Sequence, residues 1–353
     1  MKRSLRRRNG RFLGWAALAA AVLAVAGVII AFPGAGRLAW AAEAGPAAAT
    51  PAPAAPAKTA APRPERVVPG DLELLCDVEY GKVGDRALKL DILRPKEPQT
   101  QPMPVIVYVH GGAWKAGSKE GAPGTCIALA RKGYLVVSVG YRLSQEAIWP
   151  AQIEDCKCAV RFLRAHAKEY NIDPGHVGAW GHSAGGHLVA MLGTAGDIKE
   201  LEGKGGWEKE SSRVQAVLDC FGPTDFAAFE KELPPEKDWR TDALTQLLGV
   251  PAKENRDKAA QASPMTFVTK DDPPFLIMHG DKDPIVPLSQ SELMVEALKK
   301  VGVEATLHVV KGAGHGFGGR EIDEMTAAFF DKHLKPAATA VAGPVTTPKA
   351  EGN

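Results

Sequence analysis

The sequence predicts an α/β fold, in which a mostly parallel central sheet is covered by helices on both faces. Short β-rich runs alternate with segments of helical spacing through the body of the chain. Two runs, 104–110 (PVIVYVH) and 134–143 (YLVVSVGYRL), are largely apolar, which is typical of strands buried on both faces. A further strand leads directly into the glycine-rich turn 181–185 and then into a helix.

The predicted elements follow one another from residue 71 to residue 335. Residues 74–95 form an antiparallel edge hairpin that turns at a Gly-Asp pair, because apolar and polar residues alternate on both sides of that pair. The strands that follow are predicted within 104–110, 134–143, 171–181, 214–226, 274–283 and 305–315. Helices are predicted within 150–170, 184–192, 288–302 and 321–334. Residues 227–270 are charged and contain prolines, which predicts a small lid inserted over the sheet.

The segment 1–44 is predicted to be a signal peptide or an N-terminal membrane anchor. A basic run precedes the apolar stretch 12–32, which is followed by a Pro-Gly break and by small residues suited to cleavage. The stretch is also long enough to span a bilayer, so both alternatives stay open. Either one predicts an exported protein, periplasmic or extracellular. An Ala- and Pro-rich linker at 45–70 and a disordered tail at 336–353 flank the predicted catalytic domain, 71–335.

The charge distribution argues against a nucleic-acid partner. The 353 residues include 43 Lys and Arg against 41 Asp and Glu, a net charge of +2. Seven of the basic residues belong to the targeting segment: Lys2, Arg3, Arg6, Arg7, Arg8, Arg11 and Arg37. Without them 36 basic residues face 41 acidic residues, and the body of the chain is acidic.

The five cysteines are expected to be mostly small core residues. Their odd number leaves at least one unpaired, and their spacings do not match a zinc site. Cys156 and Cys158 lie two apart on a predicted helix and therefore point to different faces. The sequence predicts neither a metal nor a cofactor, and it does not determine the oligomeric state.

The stretch WGHSAGGH at 180–187 predicts a nucleophilic serine. A turn from strand to helix in so few residues strains the backbone and brings its segments close together, which leaves no room for a Cβ at Gly181 and Gly185. The turn raises the Ser183 hydroxyl above the sheet. It also sets the backbone N–H of Ala184, at the start of the helix, where an oxyanion would develop.

The two histidines beside Ser183 are not expected to act on it. A general base must approach the hydroxyl from another element, so His182 is predicted to pack or hydrogen-bond beside the turn. His187 lies one turn into the helix and is expected to face its neighbours. A metal site formed by the two is disfavoured, because positions i and i+5 diverge on a helix.

A base and an acid are predicted downstream, on loops at the carboxyl ends of strands. His315 lies in the glycine-rich loop KGAGHGF, whereas His308 lies inside the preceding strand run. For the acid, Asp283 lies in the outer part of the loop HGDKDPIVP, whereas Asp281 is tight against the strand end. Asp225, in GPTDF, remains the alternative acid.

The stretch HGGAW at 110–114 predicts the other half of an oxyanion hole. It follows a buried strand, and glycines let the backbone direct its N–H groups toward a developing alkoxide. The predicted donors are the backbone N–H groups of Gly111, Gly112 and Ala184.

With these motifs in order, the sequence resembles the α/β-hydrolase superfamily. Within it the chain is similar to the carboxylesterases like hormone-sensitive lipase and to the bacterial feruloyl and acetyl-xylan esterases. The resemblance spans most of 78–335 and is carried by YGKVGDRALKLDILRP, VYVHGGAWKAGSK, SVGYRL, FLRAHAKEYNIDPGHVGAWGHSAGGHL, HGDKDPIVP and GAGHGF. It implies the hydrolysis of carboxylic esters through an acyl-enzyme, without metal or cofactor, on small-molecule or polysaccharide-linked acetyl or feruloyl esters. HGGAW replaces the HGGG of hormone-sensitive lipase relatives, which favours the feruloyl-esterase-like branch.

Three other functions fit parts of the pattern. Amidases of the kynurenine formamidase type share HGG-x-W and GHSAG, although the predicted export argues against a cytoplasmic substrate. Peptidases like prolyl oligopeptidase share the serine turn and the acid loop, but the sequence lacks their propeller. A non-catalytic binding module of the same fold is the third alternative. It is disfavoured because all three triad positions are filled.

Overall fold

A computed structural model of the protein describes residues 66–196, 198–234, 236 and 238–335. These lie in the second of two units into which the chain divides, 65–353. The predicted targeting segment with its apolar stretch 12–32, most of the linker and the tail 336–353 lie outside the described residues. Within the described ranges, no helix combines the length and the apolar character needed to cross a bilayer.

Eight strands form one mixed sheet in the order β1-β2-β4-β3-β5-β6-β7-β8. The first two strands pair antiparallel, β2 pairs antiparallel with β4, and the other neighbours are parallel. The strands are β1 Leu72–Val83, β2 Arg86–Pro95, β3 Met103–Val109, β4 Leu135–Val139, β5 Ile172–His182, β6 Ala216–Cys220, β7 Phe275–Gly280 and β8 Ala305–Val310. The predicted fold class, with its antiparallel N-terminal hairpin, is confirmed.

Helices pack around this sheet. They are α1 Thr125–Arg131, α2 Ala151–Ala165, α3 Ala167–Tyr170, α4 Ala184–Thr194, α5 Phe226–Glu232, α6 Trp239–Leu248, α7 Arg256–Gln261, α8 Ser289–Lys300 and α9 Arg320–Leu334. The short α5, α6 and α7 lie between β6 and β7, where the sequence predicts a lid. Their pattern is hard to recognise because they span only 7, 10 and 6 residues.

The core lies on both faces of the sheet, as the apolar strand runs require. Along β3, Val105 and Val107 pack in one cluster of buried residues, whereas Ile106 and Tyr108 pack in the other. Successive side chains of a strand point to opposite faces, so each face of β3 needs its own apolar partners. Every residue of α4 is buried. The serine at the start of α4 is therefore carried by one of the most enclosed elements of the molecule.

The structure differs from the sequence prediction at one helix break and one additional helix. The predicted helix 150–170 is divided at His166, whose ring nitrogen Nδ1 bonds the Phe162 carbonyl at 2.9 Å and whose backbone leaves the helical region. Strand β6 lies within the predicted run 214–226 and ends at Cys220, after which Phe221 adopts a φ of 48°. Helix α1 has no counterpart among the predicted elements. All five cysteines are free, and only Cys76 is exposed.

Candidate active site

Ser183 lies in the tight connection between β5 and α4. Its φ of 55° and ψ of −120° are strained values for a residue with a side chain, and such strain concentrates at functional sites. Its N–H donates to the Cys220 carbonyl at 2.8 Å. A Cβ at Gly181 would lie 2.3 Å from the Gly185 carbonyl, and one at Gly185 would lie 2.0 Å from the Val109 carbonyl. The small residues around Ser183 are therefore a steric requirement of the turn.

Three predicted site residues, 132 and 32 positions apart in the sequence, form one hydrogen-bonded row. His315 Nε2 is 2.9 Å from Ser183 Oγ, and His315 Nδ1 is 2.7 Å from Asp283 Oδ2. A carboxylate only accepts hydrogen bonds, so Nδ1 carries the ring hydrogen and Nε2 is left to accept from the serine hydroxyl. The parallel sheet produces this convergence, because the loops after β7 and β8 and the turn after β5 all emerge at its carboxyl edge.

The Asp283 side chain is fully buried and is held by several donors. Its Oδ1 accepts from the backbone N–H groups of Ile285 at 2.8 Å and Val286 at 3.1 Å. Burial alone would raise the pKa of Asp283, but hydrogen bonds from His279, His315 and Ile285 outweigh burial and hold the pKa well below its usual range. The carboxyl is therefore ionised at any ordinary assay pH.

The alternative acids and base lie elsewhere. Asp225 caps the N-terminus of α5, where its Oδ1 accepts from the N–H groups of Ala227 at 2.9 Å and Ala228 at 3.0 Å. Asp281 Oδ1 accepts from the Gly312 N–H at 2.5 Å. His308 lies within β8. Asp225 and Asp281 therefore have local structural partners, and His308 belongs to the strand rather than to the row formed by Ser183, His315 and Asp283.

His187 is buried and joins two segments of the chain. Its Nδ1 accepts from Trp114 Nε1 at 3.1 Å, which leaves Nε2 to donate to the Ala262 carbonyl at 2.7 Å. Burial lowers the pKa of His187 to about 4. His182 is half-buried and packs beside Tyr108 and Phe221, with ring centroids 5.7 and 5.6 Å away.

Both flanking histidines are neutral near pH 7. Burial, with a smaller contribution from His315, lowers the pKa of His182 to about 4. The two rings are engaged with neighbouring aromatic and backbone groups, as their positions in the sequence suggest.

The loop 110–114 meets the serine turn. Gly112 has a φ of 117° and, with Ala113 and Ala184, lines the cavity beside Ser183. A Cβ at Gly111 would come within 2.7 Å of the His182 carbonyl oxygen and 3.3 Å of the Ser183 Cβ. The cavity lining thus includes Gly112 and Ala184, two of the predicted donors. It also includes Ala113, whose φ of 52° could not be anticipated for an alanine.

The cavity beside Ser183 has a volume of about 610 Å³ and a mainly apolar lining. Its large side chains are Trp114, Phe221, Phe229, Trp239, Ile285 and Val286. Arg240 also lines it, pairs with Asp238 at 2.7 Å and donates to the Pro284 carbonyl at 2.9 Å. Trp239 is 48% exposed, and Lys115 Nζ lies 5.8 Å from the centre of its ring. In the described part of the chain, no cluster of His, Cys, Asp and Glu could hold a metal ion.

A strained serine between strand and helix, joined to a histidine and a buried carboxylate at the carboxyl edge of such a sheet, defines the class of α/β-hydrolases. Residues 90–298, more than half of the chain, match the family model described as BD-FAE, and residues 259–340 match that of the dienelactone hydrolase family. The chain belongs to the BD-FAE family.

Known relatives carry esterase names. The probable carboxylic ester hydrolase LipM of Mycobacterium tuberculosis is 32% identical over 66% of this chain and 53% of its own length. Esterase LipC of the same organism is 32% identical over 72% of this chain and 64% of its own length. The chain thus spans about half to two thirds of these curated relatives.

Solved structures are covered more completely. A truncated carbohydrate esterase from gut microbiota is 35% identical, with a TM-score of 0.68 over 74% of this chain and 95% of that one. The propionate-bound esterase Est2 of Thermogutta terrifontis is 28% identical, with a TM-score of 0.62 over 76% of this chain and 97% of the Est2 chain. The expected resemblance to α/β-hydrolase esterases is confirmed.

Proposed function

We propose that this protein is a serine carboxylesterase in which Ser183, His315 and Asp283 form the catalytic triad. The observation that carries the proposal is the unbroken row of hydrogen bonds from the buried carboxylate through the imidazole to the serine hydroxyl. The esterase names of the relatives point to the same chemistry.

The reaction follows from the direction of these hydrogen bonds. His315 Nε2 takes the hydroxyl proton as Ser183 Oγ attacks the ester carbonyl, and Asp283 stabilises the imidazolium that forms. His315 then gives this proton to the departing alcohol, which leaves an acyl-enzyme. Water attacks the acyl group, again losing a proton to His315, and Ser183 recovers its proton as the carboxylic acid departs.

The oxyanion of each tetrahedral intermediate faces backbone N–H groups. Gly112 and Ala184 line the cavity beside Ser183, which supports their role as donors, and Gly111 remains the third predicted donor. The loss of one such donor typically costs about 3 kcal/mol of transition-state stabilisation.

The proposed substrates are esters of short acyl groups, including acetyl or feruloyl groups linked to polysaccharide. Solved relatives include the carbohydrate esterase from gut microbiota and Est2 with propionate or butyrate bound. Here the partly exposed Trp239 offers an indole surface on which the ring of a bulky alcohol could stack. We further propose export, directed by residues 1–44, with 12–32 cleaved off or retained as an anchor. The intact mass and membrane fractionation of the mature protein would separate these two fates.

A substrate panel tests the proposed activity. Purified protein is assayed on p-nitrophenyl acetate, butyrate and decanoate, methyl ferulate and acetylated xylan, beside p-nitroacetanilide and N-formylkynurenine as amides. The proposal expects cleavage of short and polysaccharide-linked esters that is lost in Ser183→Ala. Preferential cleavage of the amides would favour the amidase alternative, and the absence of turnover would favour a binding module. Preference for decanoate would overturn the polysaccharide assignment.

A further inference from the structure

A second histidine, His279, contacts the carboxylate of the triad. It is the penultimate residue of β7 and is fully buried. Its Nε2 lies 3.3 Å from Asp283 Oδ2 and 2.9 Å from the Val286 carbonyl oxygen. Its Nδ1 lies 2.6 Å from Ser291 Oγ on α8. Both ring nitrogens are therefore engaged, one of them by the acid loop.

The partners of the ring determine its protonation pattern. Nε2 faces a carboxylate oxygen and a carbonyl oxygen, which only accept hydrogen bonds, so Nε2 carries a hydrogen. A serine hydroxyl can donate or accept, so Ser291 satisfies Nδ1 in either role. The Nε2–H of His279 therefore donates to the Val286 carbonyl and lies beside Asp283 Oδ2, while Ser291 contacts the other ring nitrogen and sets the orientation of the ring.

His279 completes the set of donors around Asp283. Oδ1 accepts from the backbone N–H groups of Ile285 and Val286, while Oδ2 accepts from His315 and lies 3.3 Å from His279 Nε2. An ionised carboxylate offers about four acceptor positions, and here four donors face it. Of these four, His279 is the only side chain outside the triad, and it restrains the same oxygen that His315 uses.

We propose that His279, oriented by Ser291, is a positioning residue that holds the Asp283 carboxylate in the geometry His315 requires. This role rests on the proposed esterase function. It assigns His279 no proton transfer, since its ring reaches the reacting atoms only through Asp283.

Several titratable groups lie around this cluster. Two carboxyls face the ring, Asp283 on its own loop and Asp219 on β6, and burial raises the pKa of Asp219 to about 6. Arg240 on α6 adds a positive charge near Asp283, and His182 lies near His315. The negative charge of Asp283 faces the imidazolium that forms on His315 during the reaction.

Two substitutions separate positioning from packing. His279→Leu removes the donor, whereas His279→Gln retains an N–H group near the position of Nε2. Removing the hydrogen-bond partner behind a metal ligand typically costs about 10- to 100-fold in metal affinity or activity, and His279 holds a comparable position behind Asp283. We expect kcat on p-nitrophenyl acetate to fall by this factor in His279→Leu, with KM changed less than about twofold, and to recover for the most part in His279→Gln. Rates are expressed per titrated active site, so that unfolded protein does not contribute.

A double-mutant cycle with Asp283→Asn provides the decisive readout. If His279 acts through the carboxylate, His279→Leu adds no further loss of kcat once Asp283 is replaced, because the two residues act as a unit. A multiplied loss would show that His279 matters only for packing and would overturn the proposal. The same holds if His279→Leu lowers thermal stability but leaves kcat per active site unchanged.

Paired serine variants supply a matched control. Ser291→Ala removes the hydroxyl that orients His279, and we expect a severalfold loss of kcat. Ser138→Ala removes another buried serine hydroxyl, which lies on β4 and donates to the Lys119 carbonyl at 2.7 Å, and we expect kcat to stay unchanged. Equal effects of the two would count against the proposal. Ser183→Ala tests the underlying esterase function separately. Full turnover in that variant would refute the proposed triad as a whole, and not only the role of His279.

Discussion

Replacing Asp283 with asparagine changes one atom at the centre of the proposed triad. In the structure Asp283 Oδ2 accepts the Nδ1–H of His315 at 2.7 Å. An amide NH2 group turned toward Nδ1 would force the ring hydrogen onto Nε2, which then could no longer accept from the Ser183 hydroxyl. Loss of the correct tautomer in a triad lowers kcat by about 10⁴-fold, or roughly 5 kcal/mol of activation free energy.

Asp225 provides the matched control, because it is the other carboxylate that the sequence offers as the acid. Its side chain caps α5, and asparagine caps a helix as well as aspartate does. Asp225→Asn is therefore expected to keep both kcat and stability. Asp225→Ala should cost about 1 kcal/mol of unfolding free energy and no activity. The assay is steady-state hydrolysis of p-nitrophenyl acetate with active-site titration, and an inactive Asp225→Asn beside an Asp283→Asn within tenfold of wild type would refute the assignment.

Three further predictions concern the turn, the core and the cavity. Gly185→Ala would place a Cβ 2.0 Å from the Val109 carbonyl oxygen, so we expect urea unfolding to show at least ~2 kcal/mol of destabilisation. Gly121→Ala is the control, because a Cβ there would have no neighbouring atom within 4 Å, and it should leave the stability nearly unchanged. Burial lowers the pKa of His187 from 6.5 to about 4, so between these pH values the unfolded chain takes up a proton that the folded protein does not, and stability falls as the pH falls. The glutamine in His187→Gln cannot titrate, so between pH 6.5 and 4 the unfolding free energy of this variant should fall by up to ~3 kcal/mol less than that of the wild type. Parallel curves of unfolding free energy against pH would contradict this. Trp239→Ala should raise KM for acetylated xylan about 3- to 10-fold while p-nitrophenyl acetate is little affected, and an equal change on both substrates would exclude a stacking role.

The features that the sequence predicts well depend on local chemistry. Alternation identifies the β1–β2 hairpin, and continuous apolar runs identify the strands buried on both faces. The serine turn is recognisable because its geometry tolerates only glycine at 181 and 185, two residues before and two residues after Ser183. The order of strands, turns and loops then brings Ser183, Asp283 and His315 to the same edge of the sheet.

The features that the sequence does not reveal depend on contacts between distant segments. Within a strand run, His279 looks like a core residue, and its contact with Asp283 exists only because the loop after β7 folds back over the strand end. The left-handed backbone of Ala113 has no signal in its residue type. Helix α1 is only seven residues long, too short for a clear apolar period.

The central claim is that Ser183 is activated by His315, and covalent labelling tests it most directly. Est2 of Thermogutta terrifontis, a solved relative, is phosphonylated by sarin, which makes a fluorophosphonate probe a suitable reagent. Intact-mass and peptide mass spectrometry should find a single adduct on Ser183, which is absent in Ser183→Ala and forms far more slowly in His315→Ala. An adduct on another residue, or labelling of Ser183→Ala at the rate of the wild type, would contradict the account.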